Sequence, residues 1–157
     1  MNFTPQFYIP GQDQNKFLLD VSRSESVTEY MAQHLITFSP EQTIGEVVKA
    51  MLKHKISGAP VLDNNGNLVG MISEKDCLKV MLDYTYHNQP LRKGKVSDYM
   101  TTEVTTVSAE ANVFDVANMF VKSNFRRFPV INDGKLVGQV SRRDILQAAQ
   151  NMKATTW

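Results

Sequence analysis

Two short stretches carry most of the polar chemistry this chain can offer: Gly70-Met-Ile-Ser-Glu-Lys-Asp76 and its near copy Gly138-Gln-Val-Ser-Arg-Arg-Asp144. In each, a hydroxyl stands three residues before a carboxylate, Ser73 with Asp76 and Ser141 with Asp144. That spacing suits a helix start, with the hydroxyl as N-cap and the acid at the third helical position. A helix start also presents unpaired backbone N–H groups and a positive dipole end, so each corner can receive an anion. The plainer reading is that the acid answers the dipole and the serine is only a cap. No nucleophile, base and orienting group stand at a convincing spacing, and there is no P-loop, G-x-G-x-x-G or cysteine pair. No catalytic residue is expected, and enzymatic hydrolysis of a nucleotide ranks last among the readings.

The elements that must position these corners come in two copies. Val27-Thr-Glu-Tyr-Met31 lies over Val96-Ser-Asp-Tyr-Met100, Thr37-Phe-Ser39 over Thr106-Val-Ser108, and Pro60-Val61 over Pro129-Val130. The offset is about 69 residues before the Asn64/Asn65 turn and about 68 after it, longer than a solenoid period. Each copy alone is at the lower limit for burying a core, so two halves packed as one pseudo-symmetric unit are expected.

Within the first copy, Leu35–Phe38 is short and β-prone. Thr43 and Glu46 form a capping box before a helix carrying Ile44, Val47, Val48, Met51 and Leu52, with its stop near Lys55. Strands are expected at Ala59–Leu62 and Leu68–Ile72 about a turn ending in Gly66, then a helix from Glu74 to about Asp83. The second copy predicts a strand at Val104–Val107, a helix at Val113–Lys122, strands at Phe128–Ile131 and Leu136–Val140, and a helix at Arg142–Asn151. The domain reading is an extension (1–26), a first repeat (27–83), a linker (84–95), a second repeat (96–151) and a tail (152–157). Residues 16–22 and Trp157 are apolar candidates for docking on the body.

The chain has 157 residues, 42% hydrophobic and 21% charged, with a net charge of +1. That balance gives no general reason to expect nucleic acid or an acidic membrane as partner. A single cysteine excludes an internal disulfide. The first residues lack a signal-peptide pattern and no apolar run approaches a membrane span, so a cytoplasmic protein is expected.

These residues resemble the cystathionine-β-synthase (CBS) domain, here as a tandem pair. The likeness rests on Gly70–Asp76 and Gly138–Asp144, on the two Pro-Val strands, and on the element order. It implies an α/β fold of two pseudo-symmetric β-α-β-β-α repeats packed through their sheets. It further implies clefts for an adenine nucleotide (AMP, ADP or ATP, with S-adenosylmethionine a further option), a homodimer, and regulation of a separate protein, with no cofactor required. In that frame Asp76 and Asp144 would accept the ribose hydroxyls, and Ser73 and Ser141 would donate to phosphate. Ser39 and Ser108 would reach the ligand, and Ile44 and Val113 would line the slot for the base. Ser57-Gly58 and Arg126-Arg127 align with the family's base- and phosphate-contacting pair. The arginines offer a fork suited to phosphate and, because the halves face each other, one half's arginines would serve the other's cleft. The competing reading of the arginines is a solvated basic face, to which Arg142, Arg143 and Lys75 also contribute.

Cys77 aligns with Ile145 and is expected to fill core. His34, His54 and His87 show no metal-ligand spacing. Against the regulatory module stand a constitutive dimerisation scaffold with empty clefts and, more weakly, nucleic-acid binding through the four arginines.

Overall fold

The computed structural model describes residues 25–88 and 93–155. The expectations for residues 1–24, for residues 89–92 of the joining segment and for Trp157 lie outside that range.

Each repeat begins with a short helical turn: a 3-10 turn at Val27–Glu29 in the first and α3 (Val96–Tyr99) in the second. The first repeat continues with α1 (Ile44–His54), β1 (Gly58–Leu62), β2 (Leu68–Ser73) and α2 (Glu74–His87). The second continues with β3 (Val107–Ser108), α4 (Val113–Val121), β4 (Arg127–Asn132), β5 (Lys135–Ser141) and α5 (Arg142–Thr155). The α/β class and the duplicated element order are those expected.

Local chemistry accounts for the boundaries. Thr43 and Glu46 close a reciprocal capping box on α1, and Asn112 caps α4 by accepting from Asp115 N at 2.9 Å. Helix α1 stops where Lys55 turns left-handed at φ 53°. Helix α2 runs on to His87 rather than ending near Asp83, because no breaker intervenes before Asn88, which turns left-handed at φ 53°. Helix α5 likewise extends past Asn151.

β1 and β2 form an antiparallel hairpin, and β4 and β5 form its copy, with β3 parallel to β4. The opening strands are shorter than the sequence predicts. Leu35–Phe38 is reduced to one parallel bridge, Phe38 with Val61, and of Val104–Val107 only Val107 is in a strand, the two-residue β3 that runs on to Ser108. Just upstream, each repeat's leading segment crosses to the other repeat. Ala32 pairs with Gln139 of β5, and Thr101 pairs with Met71 of β2. Val27 N donates to Ala111 O at 3.0 Å and Val113 N to Glu25 O at 3.0 Å. The mirror contacts are Val96 N to Gln42 O at 2.9 Å and Ile44 N to Gly94 O at 2.8 Å.

The core follows the same exchange. Val96, with Tyr99 and Met100, packs into the first repeat among Phe38, Ile44, Val47, Val61 and Ile72. Val27, with Tyr30 and Met31, packs into the second among Val107, Val113, Val116, Val130 and Val140. This explains two glycines of the repeated motif. A Cβ on Gly70 would stand 2.9 Å from Thr101 O and 2.6 Å from Met100 Sδ, and one on Gly138 would stand 2.8 Å from Ala32 O. Backbone crosses backbone there, and only glycine leaves the room.

Candidate functional site

The exchanged leading segment of the second repeat borders a half-open chamber of about 860 Å³ at the first corner. One wall is first-repeat: Ser57-Gly58 where β1 begins, and Ser73 to Asp76 where β2 meets α2. The facing wall is second-repeat: Thr101, Glu103, Val104 and Thr105 of the leading segment, and Ser123 to Arg127 leading into β4. The volume falls in the range of small-molecule sites.

Asp76 is only 6% exposed. Its Oδ2 accepts two donors from Ser73, the backbone N at 2.9 Å and Oγ at 2.8 Å, while Asp76 N returns a 3.3 Å bond to Ser73 Oγ. This is the capping box, complete. Among the described residues it leaves Oδ1 with no closer partner than Lys79 Nζ at 3.8 Å, an ion-pair contact beyond hydrogen-bond range, so that oxygen can accept from a ligand hydroxyl. The single hydroxyl proton of Ser73 goes to Asp76, so donation to a phosphate would require breaking that bond. The second corner repeats the arrangement: Asp144 Oδ2 accepts from Ser141 N at 2.7 Å and Ser141 Oγ at 2.8 Å.

Across the chamber, Arg127 reaches from β4 into the first repeat. Its Nη1 donates to Gly58 O at 3.0 Å and its Nη2 to Ser57 Oγ. Burial, and then the neighbouring Arg126 charge, lower the Arg127 pKa from its ordinary value, with Glu74 opposing them. Phe125 lines the same wall, is 49% exposed, and sets its ring edge-on to Phe128 at 5.7 Å. Ser123, also on that wall, has a buried Oγ without a hydrogen-bond partner among the described residues.

Of the residues singled out from sequence, Ser57, Gly58, Ser73, Asp76, Arg126 and Arg127 meet in this chamber. Ser141 and Asp144 sit together at the other corner. Ile44 and Val113 are wholly buried in the two cores and do not line the chamber. Ser39 and Ser108 also lie outside it: Ser39 N bonds Gln42 Oε1 at 2.8 Å, and Ser108 Oγ accepts from Glu110 N at 3.2 Å. Sequence reasoning missed Thr101, Glu103, Val104, Thr105 and Phe125. The signal was the invariance of Gly70 and Gly138 between the copies, which marks a crossing backbone. Cys77 is a core residue whose thiol pKa is pushed up by burial and then by Asp76 and Glu74, which keeps it protonated and unreactive. Among the described residues no cluster of His, Cys, Asp or Glu could hold a metal ion, and no helix is long and apolar enough to cross a membrane.

The sequence pattern of the CBS domain matches residues 27–83 and 96–151, and the chain belongs to the CBS-domain family. The crystal structure of CBSX2 of Arabidopsis thaliana in complex with AMP superposes with a TM-score of 0.72 at 30% identity, covering 83% of this chain and 99% of that one. Two uncharacterized proteins of Methanocaldococcus jannaschii, MJ1225 and MJ1426, are each 30% identical over 79% and 78% of this chain. The chain spans 42% of the length of the first and 89% of the second.

Proposed function

We propose that this chain is a regulatory module that binds an adenine nucleotide (AMP, ADP or ATP) in the chamber between its repeats and is read by a partner protein. One observation carries the reading. A buried carboxylate with a spare oxygen faces two adjacent arginines across a chamber of nucleotide size. Asp76 Oδ1 would take a ribose hydroxyl, Arg126 and Arg127 the phosphate, and exposed Phe125 one face of the base. The AMP held by a relative at 30% identity supports the ligand class.

Regulation follows from the walls belonging to different repeats. A ligand touching both favours the arrangement in which it bridges them, and its differential affinity is all it can contribute to the shift. Leu78, Met81 and Leu82 of α2 and Leu146 of α5 are exposed apolar side chains and support association of two copies. A scaffold with empty chambers is favoured by one fact only: the capping boxes give Ser73 and Asp76 a structural use without any ligand.

Calorimetry with AMP, ADP, ATP and S-adenosylmethionine, with molar mass fixed by light scattering, tests the reading. A micromolar nucleotide with definite stoichiometry is expected. Asp76→Asn keeps an oxygen for Ser73 but loses the charge, and should weaken binding about tenfold. Unchanged affinity in that variant sinks the ribose assignment, and silence with all four ligands favours the scaffold.

A further inference from the structure

Under the internal symmetry, Arg127 corresponds to Gly58, and Arg126 to Ser57. The two segments meet across the pseudo-twofold axis, so an arginine from one copy lands on the glycine and serine of the other. The contact cannot be duplicated, because the first copy has no side chain at Gly58 to send back.

The contact leaves most of the guanidinium free. A guanidinium carries five N–H groups in a plane. Two are used, on Gly58 O and Ser57 Oγ, and no other protein acceptor holds Arg127 among the described residues. The Nε–H and one hydrogen on Nη2 form the edge that grips an oxyanion in bidentate fashion. The ion pairs among the described residues are Lys79 with Asp76 and Lys95 with Glu41, so neither Arg126 nor Arg127 has a carboxylate partner. Two adjacent guanidinium groups therefore face the chamber with no carboxylate within ion-pair distance, Glu74 on the opposite wall acting on Arg127 only from farther off, and one of them is clamped in place before any ligand arrives.

We propose that Ser57 and Gly58 form a cross-repeat clasp that fixes Arg127 as the phosphate reader of the chamber, so that it discriminates nucleotides from nucleosides. Ser57 is then a positioning residue, acting through Arg127. The clasp orders a long side chain in advance, which lowers the entropy lost when phosphate binds. The inference rests on the adenine-nucleotide reading and adds to it the part of the ligand that is selected and the residue that arranges the selection.

The test is calorimetry of the full chain with AMP and adenosine as paired probes. The parent chain should prefer AMP by about tenfold or more, as for charge-assisted bonds to phosphate. Arg127→Gln should remove most of that preference while adenosine affinity stays. Arg127→Lys, which keeps the charge but loses the planar fork, should restore only part of it. Ser57→Ala leaves every charge in place and should cost AMP about threefold with adenosine unchanged. If Ser57→Ala weakens both ligands by the same factor, or neither, the clasp is overturned while the nucleotide reading stands. Equal parental affinity for AMP and adenosine also overturns it, leaving a nucleoside chamber. A parent chain that binds neither ligand overturns both readings.

Discussion

The two repeats use the same ten core positions and fill them differently. Val27 matches Val96, Ile44 matches Val113, and Val47, Val61, Ile72 and Val80 match Val116, Val130, Val140 and Ala148. The largest departures come as a pair. The first repeat has Phe38 on its opening strand and Ala59 on the neighbouring one, and the second has Val107 and Phe128. Phe38 bridges Val61 as Val107 pairs with Val130, and Ala59 and Phe128 lie two residues before those partners, on the same strand face. One aromatic ring has changed strands. Core volume is kept more nearly by the pair than by the position, the remaining difference being valine against alanine, which close packing tolerates. Met51 against Phe120 then lets Phe120 and Phe128 stack at 4.5 Å in the second repeat alone.

If the ring has been traded between strands, Phe128→Ala should give the largest loss of stability, about 3–5 kcal/mol in urea unfolding. Adding Val107→Phe should recover part of it, because that copies the arrangement of the first repeat. A double variant that is merely additive would break the comparison, since neighbours sharing one cavity must couple. The crossing glycines come next. Gly70→Ala and Gly138→Ala each drive a Cβ against a backbone carbonyl, and each should cost about 1–3 kcal/mol. The two losses should agree, because the contacts are nearly superimposable. A large loss at one and none at the other would show that only one leading segment is held.

These same glycines mark where the sequence could be read and where it could not. Capping boxes, hairpin turns and helix faces were legible because each depends on residues within a few positions of one another. Thr43 and Glu46, or Ser73 and Asp76, carry their own geometry. The exchange of leading segments was not legible. Val27 and Val96 are aligned, identical and equally buried, so nothing in the pattern says which core each one enters. For the same reason half of the chamber was readable, Ser57-Gly58, the first corner and the arginines. Thr101, Glu103, Val104 and Thr105 were not, because their approach to β2 is a long-range contact. Ile44 and Val113, expected to line the slot for the base, are found buried at their helix starts among the two core clusters.

The capping serines are equivalent by geometry, and removing either should cost about 1 kcal/mol. Thermal unfolding of Ser73→Ala and Ser141→Ala should show matched shifts, and a mismatch would mean that one corner is held by something beyond its cap.

The smallest effect comes from the hairpin turns, where the copies part for good reason. The second turn is made by backbone: Asp133 and Gly134 both sit left-handed, at φ 48° and 76°. The first is one residue longer; it too has a left-handed glycine, Gly66 at φ 79°, and it is held in addition by a side chain. Asp63 Oδ1 accepts from Asn65 N and Asn67 N, both at 2.9 Å, and Oδ2 from Asn67 Nδ2 at 3.2 Å. The aligned Asn132 carries no charge. These bonds, the Asn67 backbone donor foremost, hold the Asp63 carboxyl below its ordinary value of 3.8. A folded pKa below the unfolded one stabilises the fold above the unfolded value, and the contribution is lost as pH falls through the folded one. Asp63→Asn removes that titration. From about pH 5 to about pH 2 the variant should lose less stability than the parent, the gap between them closing as the carboxylate protonates. Parallel acid limbs would mean that the longer turn is held by Lys135, which crosses from the second repeat to Asn65 O at 3.0 Å and Asn67 Oδ1 at 2.9 Å. The turn would then be another place where one repeat is completed by the other.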